Sequence, residues 1–287
     1  EGQFTGAATS TEAAIECVRA EIEFLEHELD AWIGGLLQDG WHRGVRRVQA
    51  EGEKGLTSFV SERLSGLGAT PSRVAQGMHV FAQRHRTDEQ PWDWDSSSLH
   101  LLGQCMREQL FPIVYAANKM DIAPPGVLEA FPDRTMVACM SDMELALSRA
   151  ASAGLIRYQK GASTFVVNDS ADLNEAQSKA LTHMQARLEQ AGGTGLARLL
   201  DEVLFDQLNH IVVYPVQDET HWVDGDGRVL PDALVVPLGI HAKALAGHVH
   251  TDLEEGFIRG VDGRTRRVVG ADHEMGDGDV LKIHAKT

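Results

Sequence analysis

The chain has 287 residues, enough for two or three domains that each bury their own core. Acidic residues outnumber basic ones by 42 to 26, and the formal net charge of -16 argues against a protein that coats nucleic acid non-specifically. We therefore expect no DNA partner and only local contacts with RNA. The three cysteines lie far apart without a Cys-x-x-Cys pair, which excludes a disulfide framework or a zinc ribbon as the organising principle.

The same composition bears on location and source. No apolar run reaches the length of a membrane span and the first residues lack the pattern of a signal peptide, so we expect a cytoplasmic monomer with no membrane partner. The excess of acidic residues and the preference for arginine over lysine are typical of a halophilic archaeon, the alternative being an ordinary acidic mesophilic protein. Because a helical pattern starts almost at Glu1, we also expect further sequence to precede it.

Residues 1–110 are predicted to form a helical, coiled-coil-like domain. A capping-box pattern from Thr9 to Glu12 opens the first helix. Its apolar residues follow in alternating steps of three and four, at Ile15, Val18, Ile22, Leu25, Leu29, Trp32 and Leu36. We expect glycines to end this helix, at Gly34, Gly35 and Gly40. Weaker helical patterns follow over residues 56–67, 71–86 and 97–110.

Residues 111–210 are predicted to form part of a parallel α/β sheet followed by helices. A short apolar run from Ile113 to Ala117 indicates a buried strand, and a second run covers residues 135–139. Acidic residues directly after the second run favour the start of a helix. Strand, helix and strand in succession indicate a parallel sheet, and further helices are predicted over residues 173–190 and 195–208.

Residues 211–287 have a different pattern, with short β-rich runs separated by Asp/Gly turns. One helical pattern, over residues 242–250, lies between the runs. Two strands, a helix and further strands in so short a segment predict a small β-grasp module. The predicted fold class of the whole chain is therefore α/β plus α+β.

The first candidate site is the sequence Asn118-Lys119-Met120-Asp121 at the end of the first predicted strand, where ligands bind in open α/β sheets. An aspartate there can accept hydrogen bonds from guanine N1–H and from the 2-amino group, while the lysine stem covers the base. Adenine offers no such pair of donors and would leave the carboxylate unpaired. We therefore predict guanine recognition by Asn118, Lys119 and Asp121, although these four letters also arise by chance in loops.

The second candidate segment, Cys139-Met140-Ser141-Asp142, follows the next strand. Its backbone N–H groups, at Met140 and Ser141, would reach the base oxygen. The alternative is a plain strand-to-helix turn that Ser141 or Asp142 caps.

A phosphate-binding loop is missing from the sequence. No Gly-x-x-x-x-Gly-Lys-Ser/Thr occurs, and the glycine cluster at residues 192–195 lacks the lysine. Hydrolysis requires the triphosphate and Mg²⁺ to be held in place, so we expect none from this chain alone and assign no catalytic residue. We expect Mg²⁺ and hydrolysis in a longer protein, with the phosphate loop before Glu1.

Together these features resemble the C-terminal portion of an archaeal YchF-type, Obg-like GTPase. The resemblance is carried by residues 21–26, 29–32, 64–68, 116–121 and 144–147 and by most residues after Val213. It implies a helical arm (1–110), the C-terminal part of a P-loop GTPase sheet without its P-loop (111–210) and a TGS domain of β-grasp fold (211–287). It also implies an NTPase that associates with ribosomes, and the intact Asn-Lys-x-Asp motif implies GTP rather than ATP.

The sequence departs from this family in two places. Relatives carry Ser-Ala where this chain has Met140-Ser141, which would loosen the second base contact. In the TGS segment, larger residues at 237–241 replace the usual small hydroxyl residues.

The TGS segment also holds candidate RNA or partner residues, namely His250, Thr251, Asp252, Arg264, Arg266, Arg267 and Lys282. The alternative for the first three is a helix-terminal turn that fixes the fold. The basic residues could contact phosphate or could balance neighbouring carboxylates. No metal site is predicted, because nothing places His241, His248 and His250 on one face.

Two functions stay open at this point. The chain is either the base-binding and C-terminal portion of a ribosome-associated GTPase, or a non-catalytic adaptor that binds RNA or the ribosome through its helical arm and TGS domain.

Overall fold

The computed structural model describes residues 10–85 and 89–286, which form two compact units that divide between Gly195 and Leu196. Helices, one parallel strand pair and one short antiparallel strand pair make up the first unit, and a mixed sheet dominates the second. The predicted mixture of helices and sheets is confirmed, whereas the finer division into three domains stays a prediction. Among the described residues, no helix is long and apolar enough to cross a membrane.

The first unit begins with a helical region. Its helices are α1 (Thr11–Gln38), α2 (Trp41–Val48), α3 (Gly52–Arg63), α4 (Pro71–Arg84) and α5 (Ser96–Leu110). They enclose one apolar core in which Trp41, Leu37, Leu102 and Met106 are fully buried. Within this core the Trp41 ring stacks on that of Trp94 at a centroid distance of 5.8 Å. Burial of such large side chains supplies most of the stability of these short helices.

The start of α1 differs in detail from its prediction. Ser10 caps the helix, because its hydroxyl accepts a hydrogen bond from the Ala13 N–H at 3.2 Å. The predicted cap, Thr9, lies outside the described residues.

The coiled-coil-like seam predicted for α1 is partly wrong. Leu25 is 43% exposed and Trp32 is 51% exposed, whereas Ile22, Ile33 and Leu37 are buried. Ile33 and Leu37 are buried by α5 and the core of the helical region, whereas Ile22 is buried in a separate cluster with Val127 and Phe131. The coiled-coil assignment is therefore not confirmed.

The predicted end of α1 at Gly34 and Gly35 is also wrong, since the helix continues to Gln38. Gly34 faces α5 so closely that a Cβ there would lie 3.2 Å from the His100 Cα. A Cβ on Gly103 of α5 would lie 2.6 Å from the Gly34 backbone nitrogen. These glycines allow the two helix backbones to touch, so Gly34 serves packing and does not terminate the helix.

A buried ion pair also joins these two helices. The Nε of Arg107 in α5 donates to the Asp30 Oδ1 of α1 at 2.6 Å, and both side chains are more than nine-tenths buried. A pair of this kind requires both partners, because either charge left alone in the core is costly.

The predicted parallel sheet is represented by β1 (Val114–Ala117) and β2 (Thr135–Ala138). The strands pair in parallel from Val114 with Thr135 to Ala117 with Ala138. Both therefore end at the same edge, and the segments after Ala117 and Ala138 emerge side by side.

The remaining elements of the first unit are α6 (Ser141–Ser152), the antiparallel pair β3 (Ile156–Arg157) and β4 (Val166–Val167), and α7 (Glu175–Ala191). A full capping box starts α7, with Asn174 and Gln177 exchanging side-chain and backbone hydrogen bonds. Leu147 of α6 and Leu188 of α7 are fully buried in the core that joins these elements. This core fixes α7 beside the end of β2.

The second unit consists of α8 (Leu196–Asp201), a π-helical turn (Glu202–Gln207), β5 (His210–Val216), β6 (Leu234–Pro237), α9 (Ala242–Val249), α10 (Thr251–Glu255), β7 (Phe257–Asp262), β8 (Val268–Val269) and β9 (Asp279–Ala285). The strand order is β6-β5-β9-β7-β8, and β5 and β9 pair in parallel at its centre. Ala242 and Leu245 of α9 pack with Val213 and Leu281 of the sheet. The assignment of this unit to the TGS family stays a prediction.

Candidate base-binding site

The two candidate loops lie together at the edge where β1 and β2 end. The Cys139 N–H donates to the Ala117 carbonyl at 2.8 Å, and the Met120 N–H donates to the Cys139 carbonyl at 3.2 Å. Between them the Asn118 Oδ1 accepts a hydrogen bond from the Ser141 N–H at 3.1 Å. The Asn-Lys-x-Asp loop and the turn before α6 therefore form one connected surface.

Lys119 also joins the two loops. Its backbone has a φ of 61°, a left-handed conformation that is uncommon for a residue with a side chain and typical of functional loops. The Nζ donates to the Asp142 Oδ2 at 3.1 Å. The lysine stem thus spans the opening between the loops, where the prediction placed a base.

The main chain of Asp121 is held by a residue of α7, whereas its carboxylate is available to a ligand. Its carbonyl accepts a hydrogen bond from the Arg187 guanidinium of α7. Among the described residues, none donates a hydrogen bond to its carboxylate. A carboxylate in this state can accept two parallel N–H donors from a ligand, as guanine N1–H and its 2-amino group would provide.

The two residues of the turn before α6 differ in their environment, because Met140 is buried and Ser141 lies beside the Asn118 side chain. Met140 is 6% exposed and its side chain packs in the core between α6 and α7. Its N–H donates to the Thr194 carbonyl at 2.8 Å, so this group is already used within the protein. Ser141 begins α6 beside Asn118, and no side chain caps the helix, contrary to the alternative that Ser141 or Asp142 would do so.

Sequence reasoning missed three residues behind this turn. Glu144 and Thr194 are buried, and the Thr194 hydroxyl donates to the Glu144 Oε2 at 2.5 Å. The Tyr158 hydroxyl donates to the same oxygen at 2.8 Å. Burial, reinforced by this hydrogen bond, raises the pKa of Tyr158 to about 12. The sequence signals for Thr194 and Glu144 were the glycines around Thr194, the acidic start of α6 and the stretch 144–147 that carries the family resemblance.

Comparisons with known proteins agree with this geometry. Residues 116–218, which include both loops, match the family described as Obg-like GTPase YGR210-like, G4 motif-containing domain. The crystal structure of a GTP-binding protein from Pyrococcus horikoshii superposes with a TM-score of 0.66 at 32% identity, over 93% of this chain and 71% of that one. The chain belongs to the Obg-like GTPase family.

Two curated relatives of this Obg-like chain are also described as uncharacterized GTP-binding proteins. The one from Methanocaldococcus jannaschii is 34% identical over 268 residues, and the one from Schizosaccharomyces pombe is 26% identical over 279 residues. These alignments cover 92% and 91% of this chain but only 66% and 63% of the relatives. The chain thus spans slightly less than two thirds of their length.

A more distant structure has the same fold. The YchF GTPase of Schizosaccharomyces pombe superposes over 99% of this Obg-like chain and 68% of its own, with a TM-score of 0.52. At 13% identity this likeness concerns the fold alone.

The first group of candidate RNA residues in this Obg-like chain lies around α10. The His250 Nδ1 accepts a hydrogen bond from the Asp252 N–H at 3.1 Å, and Thr251 begins the helix. This geometry supports the alternative reading, in which the segment is a helix-terminal turn. Within the part of the chain that the structure describes, no cluster of three or more His, Cys, Asp or Glu side chains could hold a metal ion.

Two of the candidate arginines are engaged within the second unit. Arg264 donates through Nε and Nη2 to the Gly278 carbonyl, at 3.0 and 2.7 Å, and its guanidinium lies 5.6 Å from the centre of the Trp222 ring. Arg266 donates to the hydroxyl and carbonyl of Thr220. Both side chains therefore stabilise loops of the unit.

The remaining two basic candidates, Lys282 and Arg267, differ in whether the side chain has a partner within the unit. Lys282 donates to the Glu219 Oε2 at 2.7 Å, so its charge is balanced by a neighbouring carboxylate. The guanidinium of Arg267, which is exposed, has no hydrogen bond or ion pair with any described residue. Of the four basic candidates, Arg267 is thus the one that could contact a partner without breaking an internal bond.

Proposed function

We propose that this chain binds the base of a guanine nucleotide and forms the base-recognising and C-terminal portion of an Obg-like GTPase. The observation that carries the proposal is the joined pair of loops after β1 and β2. There the Asp121 carboxylate has no donor among the described residues, while its main chain is held by Arg187. Asp121 would accept the guanine N1–H and 2-amino group and Lys119 would cover the base. The Ser141 N–H, which donates to the Asn118 Oδ1 in this structure, would be shared with the 6-oxo group.

GTP is the nucleotide that this site favours by its chemistry, but hydrolysis needs more than a base site. The phosphates and Mg²⁺ must be held by other groups, and the sequence has no Gly-x-x-x-x-Gly-Lys-Ser/Thr. We assign no residue of this chain to Mg²⁺ or to catalysis and propose that both belong to the full-length protein.

The test is the variant Asp121→Asn in the protein expressed from its complete reading frame. Asparagine offers an amide N–H where the carboxylate only accepts, so it should reject guanine and prefer xanthine, whose 2-oxo group is an acceptor. One hydrogen bond to a charged acceptor is lost, the other becomes a weaker bond to a neutral oxygen, and the new N–H faces the 2-amino donor. Together these changes predict at least about 100-fold weaker binding of GDP. Isothermal titration calorimetry with GDP and xanthosine diphosphate measures both effects.

Asp169→Asn is the matched control, because Asp169 is exposed in the same unit and the substitution makes the same change of charge. The control should bind GDP like the wild type. If Asp121→Asn also keeps wild-type affinity for GDP, the base is not recognised by this loop.

A role on the ribosome is a further proposal, with the second unit as a TGS domain and a cytoplasmic monomer as the working form. The supporting observations are its mixed sheet packed with α9 and the Arg267 guanidinium, which has no hydrogen bond or ion pair within residues 10–85 and 89–286. Arg267→Ala should weaken cosedimentation with ribosomes at low salt, whereas Arg266→Ala should mainly lower the stability of the unit. Ribosome binding that persists in a protein unable to bind GDP would instead favour the non-catalytic adaptor.

A further inference from the structure

A buried hydrogen-bonded cluster lies directly behind the turn that follows β2. Thr194 is 0% exposed and Glu144 is 9% exposed, and neither reaches the surface where a base would lie. They are joined by the 2.5 Å hydrogen bond between the Thr194 hydroxyl and the Glu144 Oε2. Tyr158 completes the cluster from outside α6, and its oxygen also accepts the Gly161 N–H at 3.2 Å.

Thr194 holds the first turn of α6 at two points. Its hydroxyl binds the side chain of Glu144, while its carbonyl accepts the Met140 N–H at 2.8 Å. Met140 directly precedes Ser141, so Thr194 holds the peptide just before the one that carries the Ser141 N–H. In that next peptide the Met140 carbonyl accepts the Glu144 N–H at 3.1 Å, and the Ser141 N–H donates to Asn118. The start of α6 is thus held by Thr194, Glu144 and Asn118.

Glycines bring Thr194 into this position. A Cβ on Gly195 would lie 1.8 Å from the Ala138 carbonyl oxygen, so only glycine permits the loop to touch the end of β2. Gly193 has a φ of 123°, and its N–H donates to the Leu188 carbonyl at the end of α7 at 3.0 Å. The cluster of glycines that lacks a P-loop lysine thus has a structural purpose of its own.

The same stretch of chain also supports the other loop. Arg187 lies one turn before the end of α7 and donates to the Asp121 carbonyl. Residues 187–195, which we call the support segment, therefore hold Asp121 on one side of the site and Met140 on the other.

Stability alone does not account for the glutamate. The Glu144 Oε1 is buried and has no hydrogen-bond partner among the described residues. A buried carboxylate oxygen without a partner costs free energy that an apolar side chain would avoid. What the carboxylate provides is an acceptor that fixes the Thr194 hydroxyl.

We propose that Thr194 and Glu144 are positioning residues for recognition of the guanine 6-oxo group. They orient the Ser141 N–H through Met140 and never touch the nucleotide. This inference rests on the proposed guanine-binding function. It predicts that the cluster affects the 6-oxo contact selectively and leaves the contacts to Asp121 in place.

The experiment uses Thr194→Val, which removes the hydroxyl at nearly constant volume, and Thr194→Ser, which restores it. Thr194→Ala is a second, smaller variant without the hydroxyl, in case valine prevents folding. Leu181→Ala is the matched control, because Leu181 is buried in the same core and has no hydrogen bond to the turn. All variants are made in the protein expressed from its complete reading frame.

Three diphosphates are titrated by calorimetry. GDP and inosine diphosphate both carry the 6-oxo group, whereas 2-aminopurine riboside diphosphate lacks it. We expect Thr194→Val to bind the first two about tenfold more weakly and the third within twofold of the wild type. Thr194→Ser should return all three affinities to the wild-type values.

The outcomes separate the two proposals. If the wild type binds none of the three, guanine binding itself is wrong. If the wild type binds GDP but Thr194→Val and Thr194→Ala weaken all three ligands equally, as Leu181→Ala would if the effect were only loss of stability, the positioning role is refuted. Unchanged affinities in both variants refute it as well.

Discussion

Gly195 offers a sharp test of the packing behind the base site, because the chain supplies a matched control three residues away. Both Gly192 and Gly195 have left-handed backbones, with φ values of 73° and 85°. A Cβ on Gly192 would meet nothing within 4 Å, whereas one on Gly195 would lie 1.8 Å from the Ala138 carbonyl oxygen. Substitution by alanine therefore adds the same backbone strain at both sites but a steric clash only at Gly195.

The magnitudes follow from these two contributions. A left-handed conformation costs an alanine roughly 1–2 kcal/mol, which is the whole effect expected for Gly192→Ala. The clash at Gly195 is with the backbone of β2, which cannot rotate away as a side chain would. Overpacking of this kind adds roughly 1–3 kcal/mol, so Gly195→Ala should lower the free energy of unfolding by about 2–5 kcal/mol.

Urea unfolding followed by tryptophan fluorescence measures the difference. Replacing Trp222 by phenylalanine in both variants confines the signal to the first unit, which contains the other tryptophans. Gly195→Ala should also weaken GDP binding, since the Ala138 carbonyl directly precedes the turn. Equal losses of stability for the two variants would show that the support segment does not pack against β2 as described.

Two further predictions concern charges. Asp30→Asn should cost about 3–5 kcal/mol by leaving Arg107 buried without its partner, while the double variant Asp30→Leu/Arg107→Met should recover most of the loss, as thermal denaturation would show. Asp218 has its pKa lowered from 3.8 to about 2, chiefly by the hydrogen bond to His221. Because this folded-state pKa is depressed, the stabilisation is present above pH 3.8 and is lost as the pH falls toward 2. The difference in melting temperature between the wild type and Asp218→Asn should therefore shrink over that interval and stay constant from pH 5 to 6.

Local sequence patterns were sufficient for the elements that carry the site. The apolar runs before Asn118 and before Met140 predicted the two strands, and a parallel pairing follows from the element order. Because parallel strands end at one edge, the meeting of the two loops could also be expected. The prediction for Met140 concerned its backbone N–H, which donates to the Thr194 carbonyl in this structure, a contact that the local sequence does not indicate.

Contacts between residues far apart in the sequence could not be predicted from local patterns. The seam on α1 was predicted from spacing, but which face is buried depends on α5, and Leu25 and Trp32 consequently point to solvent. Thr194 and Glu144 are separated by 50 positions, and no periodicity links them. Hydrogen bonds between distant segments depend on the packed fold. The sequence therefore shows a cluster of glycines at residues 192–195 without indicating which residues they contact.

The contact between Gly34 and Gly103 has a consequence for how the protein is made. Glycine costs about 1 kcal/mol in a helix interior relative to alanine, and α1 carries two in succession, Gly34 and Gly35. The C-terminal end of α1 therefore depends on α5 for its stability, and α5 leaves the ribosome only after α2, α3 and α4 have been synthesised. Until then Ile33 and Leu37 are exposed to water and to chaperones, so the helical region should acquire protection from proteolysis in one late step during translation.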